Sequence, residues 1–267
     1  MQPKLSIRHL SKTFGKRGAV TEALRDLSVD VAPGEFVSIV GASGCGKTTL
    51  LRLVDRLIEP TSGDVLVDGQ PLVNPADKIA FVFQQDGLLP WRSVLRNAGF
   101  GPELKHKPTG EITSLATKYL RLVGLGQFPD HFPHELSGGM RQRVNIARAL
   151  SAGADILLMD EPFAALDSQT REIMQTELLR IWSETQKTVL LVTHQIDEAV
   201  YLSDRILIFT SRPGRLKEDI QINLPRPRDL SIKRTPEFTG YTDHIWRAIE
   251  AEVRSSIEQE LMADVRT

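Results

Sequence analysis

Gly41-Ala42-Ser43-Gly44-Cys45-Gly46-Lys47-Thr48 stands directly behind the apolar run Phe36-Val37-Ser38-Ile39-Val40 and opens a stretch with helical spacing, Thr48 to Ile58. An apolar run without alternation suits a strand buried on both faces. The octet has the spacing G-x-x-x-x-G-K-[ST]. Its glycines let the backbone curl so that successive N–H groups point inward, and the helix that follows adds its positive end at the same place. Phosphate is the natural guest of such a loop. Lys47 offers a point charge to the β- and γ-phosphates of a nucleotide, and Thr48 a hydroxyl to Mg²⁺. Gly41, Ser43, Gly44, Cys45, Gly46, Lys47, Thr48 and Thr49 are therefore the expected nucleotide-binding residues. A chance match in a chain this long is on the order of 1% at ordinary residue usage. Cys45 reads as a small residue filling a tight loop rather than as a reactive thiol.

Working outward, further apolar runs lie at Ile79 to Phe83, Ile156 to Met159, Val189 to Thr193 and Ile206 to Phe209, with helical spacing between them, notably Ser168 to Thr185. Strands alternating with helices predict an α/β core with a mainly parallel sheet. Leu5 to Leu10, Leu27 to Val31 and Asp64 to Asp68 alternate apolar with polar residues and are set off by the turns Pro33-Gly34 and Asp68-Gly69. That pattern predicts an antiparallel β subdomain beside the core. Residues 88–152 carry helix patterns, Glu111 to Val123 and Met140 to Leu150 among them, and read as an inserted α-helical subdomain. The expected division is thus a phosphate-loop domain over 1–212 and a short extension over 213–267. The extension is rich in proline at first, with Pro213, Pro225, Pro227 and Pro236, and then helical from Asp243 to Leu261.

The chain has 267 residues, 33 basic and 34 acidic, for a formal net charge of −1. No global field draws it to nucleic acid or to an anionic membrane. Its one cysteine excludes an internal disulfide. Met1-Gln2-Pro3-Lys4-Leu5-Ser6 lacks the apolar region of a secretory signal, and no apolar run approaches the roughly 18 residues of a membrane span. A cytosolic chain is expected, one that acts at a membrane only through a separate spanning partner.

Four other places carry chemistry. Ile156-Leu157-Leu158-Met159-Asp160-Glu161 delivers two carboxylates to a strand end, where α/β sheets place ligands; Asp160 is expected to hold the metal and Glu161 to act as general base. Phe83-Gln84 and Thr193-His194 end two other strands, with Gln84 suited to Mg²⁺ or water and His194 to a γ-phosphate or the attacking water. Leu136-Ser137-Gly138-Gly139-Met140 begins a helix and forms a second anion site.

Taken in order, these parts resemble the ATP-binding cassette (ABC) ATPases, over residues 5 to about 212. The resemblance implies a P-loop NTPase with a RecA-like parallel core, an antiparallel β subdomain and an inserted helical subdomain. It implies ATP and Mg²⁺ as cofactors and a head-to-tail homodimer, each ATP lying between one subunit's phosphate loop and the other's Ser137, Gly138 and Gly139. It further implies that Asp167, in Ala165-Leu166-Asp167, links the two sites, that Phe14 stacks on adenine, and that Lys47, Gln84, Glu161 and His194 serve hydrolysis with Thr48, Gln84 and Asp160 around the metal. Leu88-Leu89-Pro90-Trp91-Arg92-Ser93-Val94-Leu95-Arg96-Asn97 looks like the ATP-binding subunits of nitrate, sulfonate, taurine and bicarbonate importers, as do Arg212-Pro213-Gly214-Arg215 and Leu224 to Arg228. Such a subunit works at the cytoplasmic face of the inner membrane. It receives a transmembrane permease in a groove near Leu89, Trp91 and Val94, and serves an external solute-binding protein indirectly. Arg226, Arg228, Lys233 and Arg234 read as a solvated tail, with no nucleic-acid partner. The alternative is a non-transport ABC ATPase of DNA repair or translation. The first would need a long coiled-coil insertion, for which Lys47 to Ser137 leaves no room, and the second two cassettes in one chain.

Overall fold

The computed structural model describes residues 2–16 and 19–264, so Met1 and the last three residues of the 213–267 extension lie outside the described residues. The chain divides into two compact units, Met1–Val73 with Gln186–Thr267, and Asn74–Thr185.

In the first unit, β1 (Leu5–Lys16) and β2 (Ala19–Val31) form a long antiparallel pair. Next come β3 (Phe36–Gly41), α1 (Lys47–Val54), β4 (Ser62–Val67) and the short β5 (Gln70–Pro71). β1, β2, β4 and β5 make an antiparallel sheet in the order β2-β1-β4-β5. One face of it is apolar: Leu5, Ile7, Leu27, Val29 and Val31 are buried as the alternation predicts, and Leu10, beyond a register shift, and Leu24 are buried with them. α1 is shorter than its periodicity suggests. Arg56 takes a left-handed φ of 52°, and the N–H groups of Leu57 and Ile58 both turn back to the Arg52 carbonyl, so the helix stops at Val54 although apolar residues continue to Ile58.

The second unit contains α2 (Pro75–Lys78), β6 (Ile79–Val82), α3 (Val94–Ala98), α4 (Phe100–Leu104), α5 (Thr109–Leu122), α6 (Gly138–Ser151), β7 (Ile156–Asp160) and α7 (Ser168–Thr185). β6 and β7 pair in parallel, Ile79 opposite Ile156 and Val82 opposite Met159. Between them α3 to α6 enclose an apolar core that includes Val94, Ala98, Ala116, Leu120, Val144, Ile146 and Leu150.

The chain then returns to the first unit with β8 (Thr188–Val192), α8 (Ile196–Leu202), β9 (Arg205–Phe209), β10 (Leu216–Gln221) and α9 (Pro236–Asp264). β3 lies between β8 and β9, parallel to both, and β10 adds antiparallel to β9. All five residues of β8 are buried, and β3 is buried up to Gly41. These are strands covered on both faces, as their unbroken apolar runs require.

One sequence expectation fails in the tail. Arg228 is not solvated but buried, 6% exposed, with Nη1 donating to the carbonyls of Val200, Tyr201 and Ser203 and Nη2 to those of Ile222 and Leu224. The end of α8 leaves unpaired carbonyls, and a guanidinium with several donors satisfies them where a lysine could not. Burial pushes its pKa down to about 10, and the neighbouring Arg226 adds to that. Arg226 pairs with Asp204 and donates to Leu202 O.

Candidate nucleotide site

The phosphate loop leaves the C-terminal end of β3 at Gly41 and turns into α1 through Gly46, whose φ of 103° and crowded surroundings exclude a side chain. A Cβ there would stand 2.7 Å from Ala23 O and 2.8 Å from Leu24 Cδ2. Lys47 is buried and folds back, its Nζ donating to Gly41 O (2.8 Å) and Ala42 O (2.9 Å). Its charge is thereby fixed at the loop that Ser43 and Gly44 expose to solvent. Thr48 and Thr49 occupy the first turn of α1. Cys45 is fully buried, and burial pushes its thiol pKa up against the opposing pull of Lys47. That is a packing residue, not a reactive one.

His194 belongs to the same strand ends. Ile39 on β3 is level with Val192 on β8, so Gly41 and His194 each lie two residues beyond the matched pair, on one edge of the sheet. His194 is exposed and lines a cavity of about 410 Å³ with Gln195, Ile196, Asp197 and, from α9, Thr242, Asp243 and Trp246. Phe14 on β1 is 42% exposed, with the Lys12 ammonium 5.0 Å from its ring centre.

In the second unit the parallel register does the same for Gln84 and Glu161, each two residues beyond the pair Val82 and Met159. Gln84 Nε2 donates to Glu161 Oε2 at 3.1 Å. Sequence reading names both residues but not this contact, which depends on the pairing of strands far apart in the chain. Asp160 is buried at the end of β7. Glu161, immediately after it, takes a left-handed φ of 47°, a conformation that costs a non-glycine residue about 1 kcal/mol.

The exposed Ser137 caps α6, its Oγ accepting the Met140 N–H at 3.2 Å, and Gly138 and Gly139 form the half-buried first turn. A Cβ on Gly139 would meet Leu166 at 3.0 Å, so this turn packs against the residue preceding Asp167. Asp167 accepts the Thr170 N–H at the start of α7, and that bond holds its carboxyl below the usual range.

α6 carries further polar contacts that sequence reading missed. Gln142 and Asn145 both donate to Phe83 O, Arg141 pairs with Asp86, and Arg148 donates to Asp86 O and Gly87 O. The segment after Gln84 is thus fastened to the helix that Ser137 begins. Asn97 fixes the next stretch, accepting the Leu89 N–H and donating to Leu89 O, Arg92 O and Ser93 O. The signal for these residues is polar side chains on the buried stripe of a helix. Of the expected docking residues, Trp91 is 72% exposed and Leu89 half-buried. Val94 is fully buried: it opens α3 and faces the helical core, so it is not part of any exposed groove.

The profile of the ABC transporter family matches residues 24–164. This chain belongs to the ABC transporter family. The ABC subunit is 49% identical over 258 residues to an uncharacterized ABC transporter ATP-binding protein of Methanocaldococcus jannaschii, covering 97% of this chain and 96% of that one. It is 46% identical to a nitrate import ATP-binding protein of Synechocystis, covering 90% of this chain and 93% of the relative, and 41% identical to a taurine import ATP-binding protein of Roseobacter denitrificans, covering 92% and 93%. Among solved structures it is similar to a dimeric post-hydrolysis state of an ATP-binding cassette bound to ADP and Pi, with a TM-score of 0.76, 33% identity, and coverage of 83% of this chain and 100% of that one. Its fold is that of a P-loop NTPase cassette, and its activity is ATP hydrolysis. No helix among the described residues is long and apolar enough to cross a membrane.

Proposed function

We propose that this ATPase is the energising subunit of an importer for a small solute of the nitrate, sulfonate, taurine or bicarbonate kind, acting peripherally at the cytoplasmic face of the inner membrane on a separate transmembrane permease. The nitrate and taurine import proteins named above support this reading. The likeness to a dimeric cassette supports a homodimer with ATP at its interface.

In this reading ATP binds Gly41 to Thr49, and Lys47 exchanges its two carbonyl partners for β- and γ-phosphate oxygens. Phe14 receives the adenine. Glu161 takes a proton from the attacking water, its carboxylate oriented by the Gln84 amide, and His194 donates to the γ-phosphate. Ser137, Gly138 and Gly139 meet the partner's γ-phosphate, and Asp167 stands between the two sites. Mg²⁺, when bound, neutralises charge on the phosphates. The Thr48 hydroxyl, the Asp160 carboxylate and the Gln84 amide oxygen are the hard donors that suit it, since the Gln84 nitrogen is committed to Glu161.

Coupling to a permease rests on one observation. Trp91 projects 72% exposed from a loop that the buried Asn97 holds rigid, the form an aromatic anchor takes before its partner arrives. Trp91→Ala should keep the ATP turnover of the isolated subunit but lower ATP-driven uptake in vesicles containing the assembled permease at least tenfold. Unimpaired uptake would refute the docking assignment.

A further inference from the structure

The hairpin between β9 and β10 packs against the outside of the phosphate loop. Gly214 lies so close beneath the loop that a Cβ there would stand 2.0 Å from Cys45 O. Its backbone is fixed by two bonds to the middle of β2, Gly214 N–H to Ala23 O (3.0 Å) and Arg25 N–H to Gly214 O (3.1 Å). From this turn Arg212 reaches the crest of the loop, Nε and Nη2 each donating to Gly44 O at 3.2 Å. The carbonyls on both sides of Cys45's peptide links are thus contacted from residues 212–214. In a planar peptide the N–H points opposite to its C=O, so fixing the carbonyls of Gly44 and Cys45 fixes the directions of the Cys45 N–H, which closes the loop on Ala42 O at 3.4 Å, and of the Gly46 N–H. Inward-pointing N–H groups are what such a loop offers a phosphate. The Arg212 guanidinium also places a positive charge at its rim.

The same turn is tied to the C-terminal helix. Glu252 on α9 accepts the Ser211 N–H (2.8 Å) and hydroxyl (3.1 Å) on Oε2, while Lys217 Nζ donates to Oε1 (2.8 Å) and to Ala248 O (2.9 Å). A continuous path of contacts therefore runs from α9 through Glu252 and Ser211 to Arg212 and Gly44.

We propose that Arg212 is a positioning residue of the phosphate loop and that the C-terminal helix sets it in place through Glu252. The inference rests on MgATP binding at that loop. The test is steady-state ATP hydrolysis, with MgATP affinity measured alongside, for Arg212→Ala, Glu252→Ala, the double variant and Arg212→Lys. Arg212→Ala should raise KM for MgATP roughly fivefold, more than it lowers kcat, and Glu252→Ala roughly twofold. The double variant should be no worse than Arg212→Ala alone, because Glu252 acts through Arg212. Arg212→Lys should recover part of the loss, having charge and one donor. An unchanged KM in Arg212→Ala would overturn the proposal. So would a double-variant effect equal to the product of the singles, or a Glu252→Ala variant that melts lower with KM unchanged. Lys47→Ala separates the two levels. If it loses MgATP binding while Arg212→Ala keeps its KM, the inference alone falls; if it retains MgATP binding, the phosphate-loop reading falls with it.

Discussion

Asp55 caps the far end of the helix that the phosphate loop opens, and its replacement by asparagine should stabilise the protein in a pH-dependent way. Its N–H turns back to Leu51 O and Leu53 O, and its carboxylate sits at the negative end of α1. Burial pushes the carboxyl pKa up to about 6 from 3.8. Between those values the folded chain binds more protons than the unfolded one, so this group makes stability fall as pH rises from about 4 to about 6, and the cost is constant above that. A gap of about two pH units corresponds to ~3 kcal/mol as an upper bound. Because the side chain is only partly buried, solvent screening reduces this to about 1–2 kcal/mol. Asparagine, neutral at every pH, escapes the cost. For a chain of this size about 1–2 kcal/mol corresponds to roughly 2–6 °C in Tm. Thermal melts of both proteins should show Asp55→Asn higher by that amount at pH 8, with the advantage shrinking to about a third at pH 4.5. A difference that is the same at both pH values, or an asparagine variant that melts lower at pH 8, would refute the assignment of the cost to a buried charge.

Lys47→Ala should abolish MgATP binding or hydrolysis, read by nucleotide-binding titration and phosphate release; retained turnover would refute the phosphate-loop account. Arg228→Ala leaves five carbonyls without their donor and a space where a guanidinium was, and should cost about 2–4 kcal/mol in a denaturant melt. Arg228→Lys should recover little of that, since a single ammonium cannot replace the fork; a lysine variant of wild-type stability would contradict the carbonyl-capping role.

Much of the fold is written in local pattern. The unbroken apolar run at Phe36 to Val40, the glycine spacing behind it, and the alternation in β1, β2 and β4 each report a strand or loop through neighbours a few residues away. What escaped is set by distant pairing. Gln84 and Glu161 meet because β6 and β7 align Val82 with Met159, and no feature of either segment states that register. Arg228 lies among prolines and charges, which reads as a solvated tail; the carbonyls at the end of α8 together with those of Ile222 and Leu224 make it a core residue. Val94 sits beside Trp91 in an apolar stretch, but as the first residue of α3 it faces inward while Trp91 faces out. The end of α1 is not legible because apolar residues continue past the left-handed Arg56.

Glu161→Gln tests most directly the claim that this chain hydrolyses ATP at a site where Glu161, oriented by Gln84, is the general base. Measured by phosphate release and by size-exclusion chromatography in MgATP, the variant should bind ATP with near-wild-type affinity, lose turnover at least a hundredfold, and accumulate as a dimer. Turnover at the wild-type rate, with no ATP-dependent dimer, would contradict it.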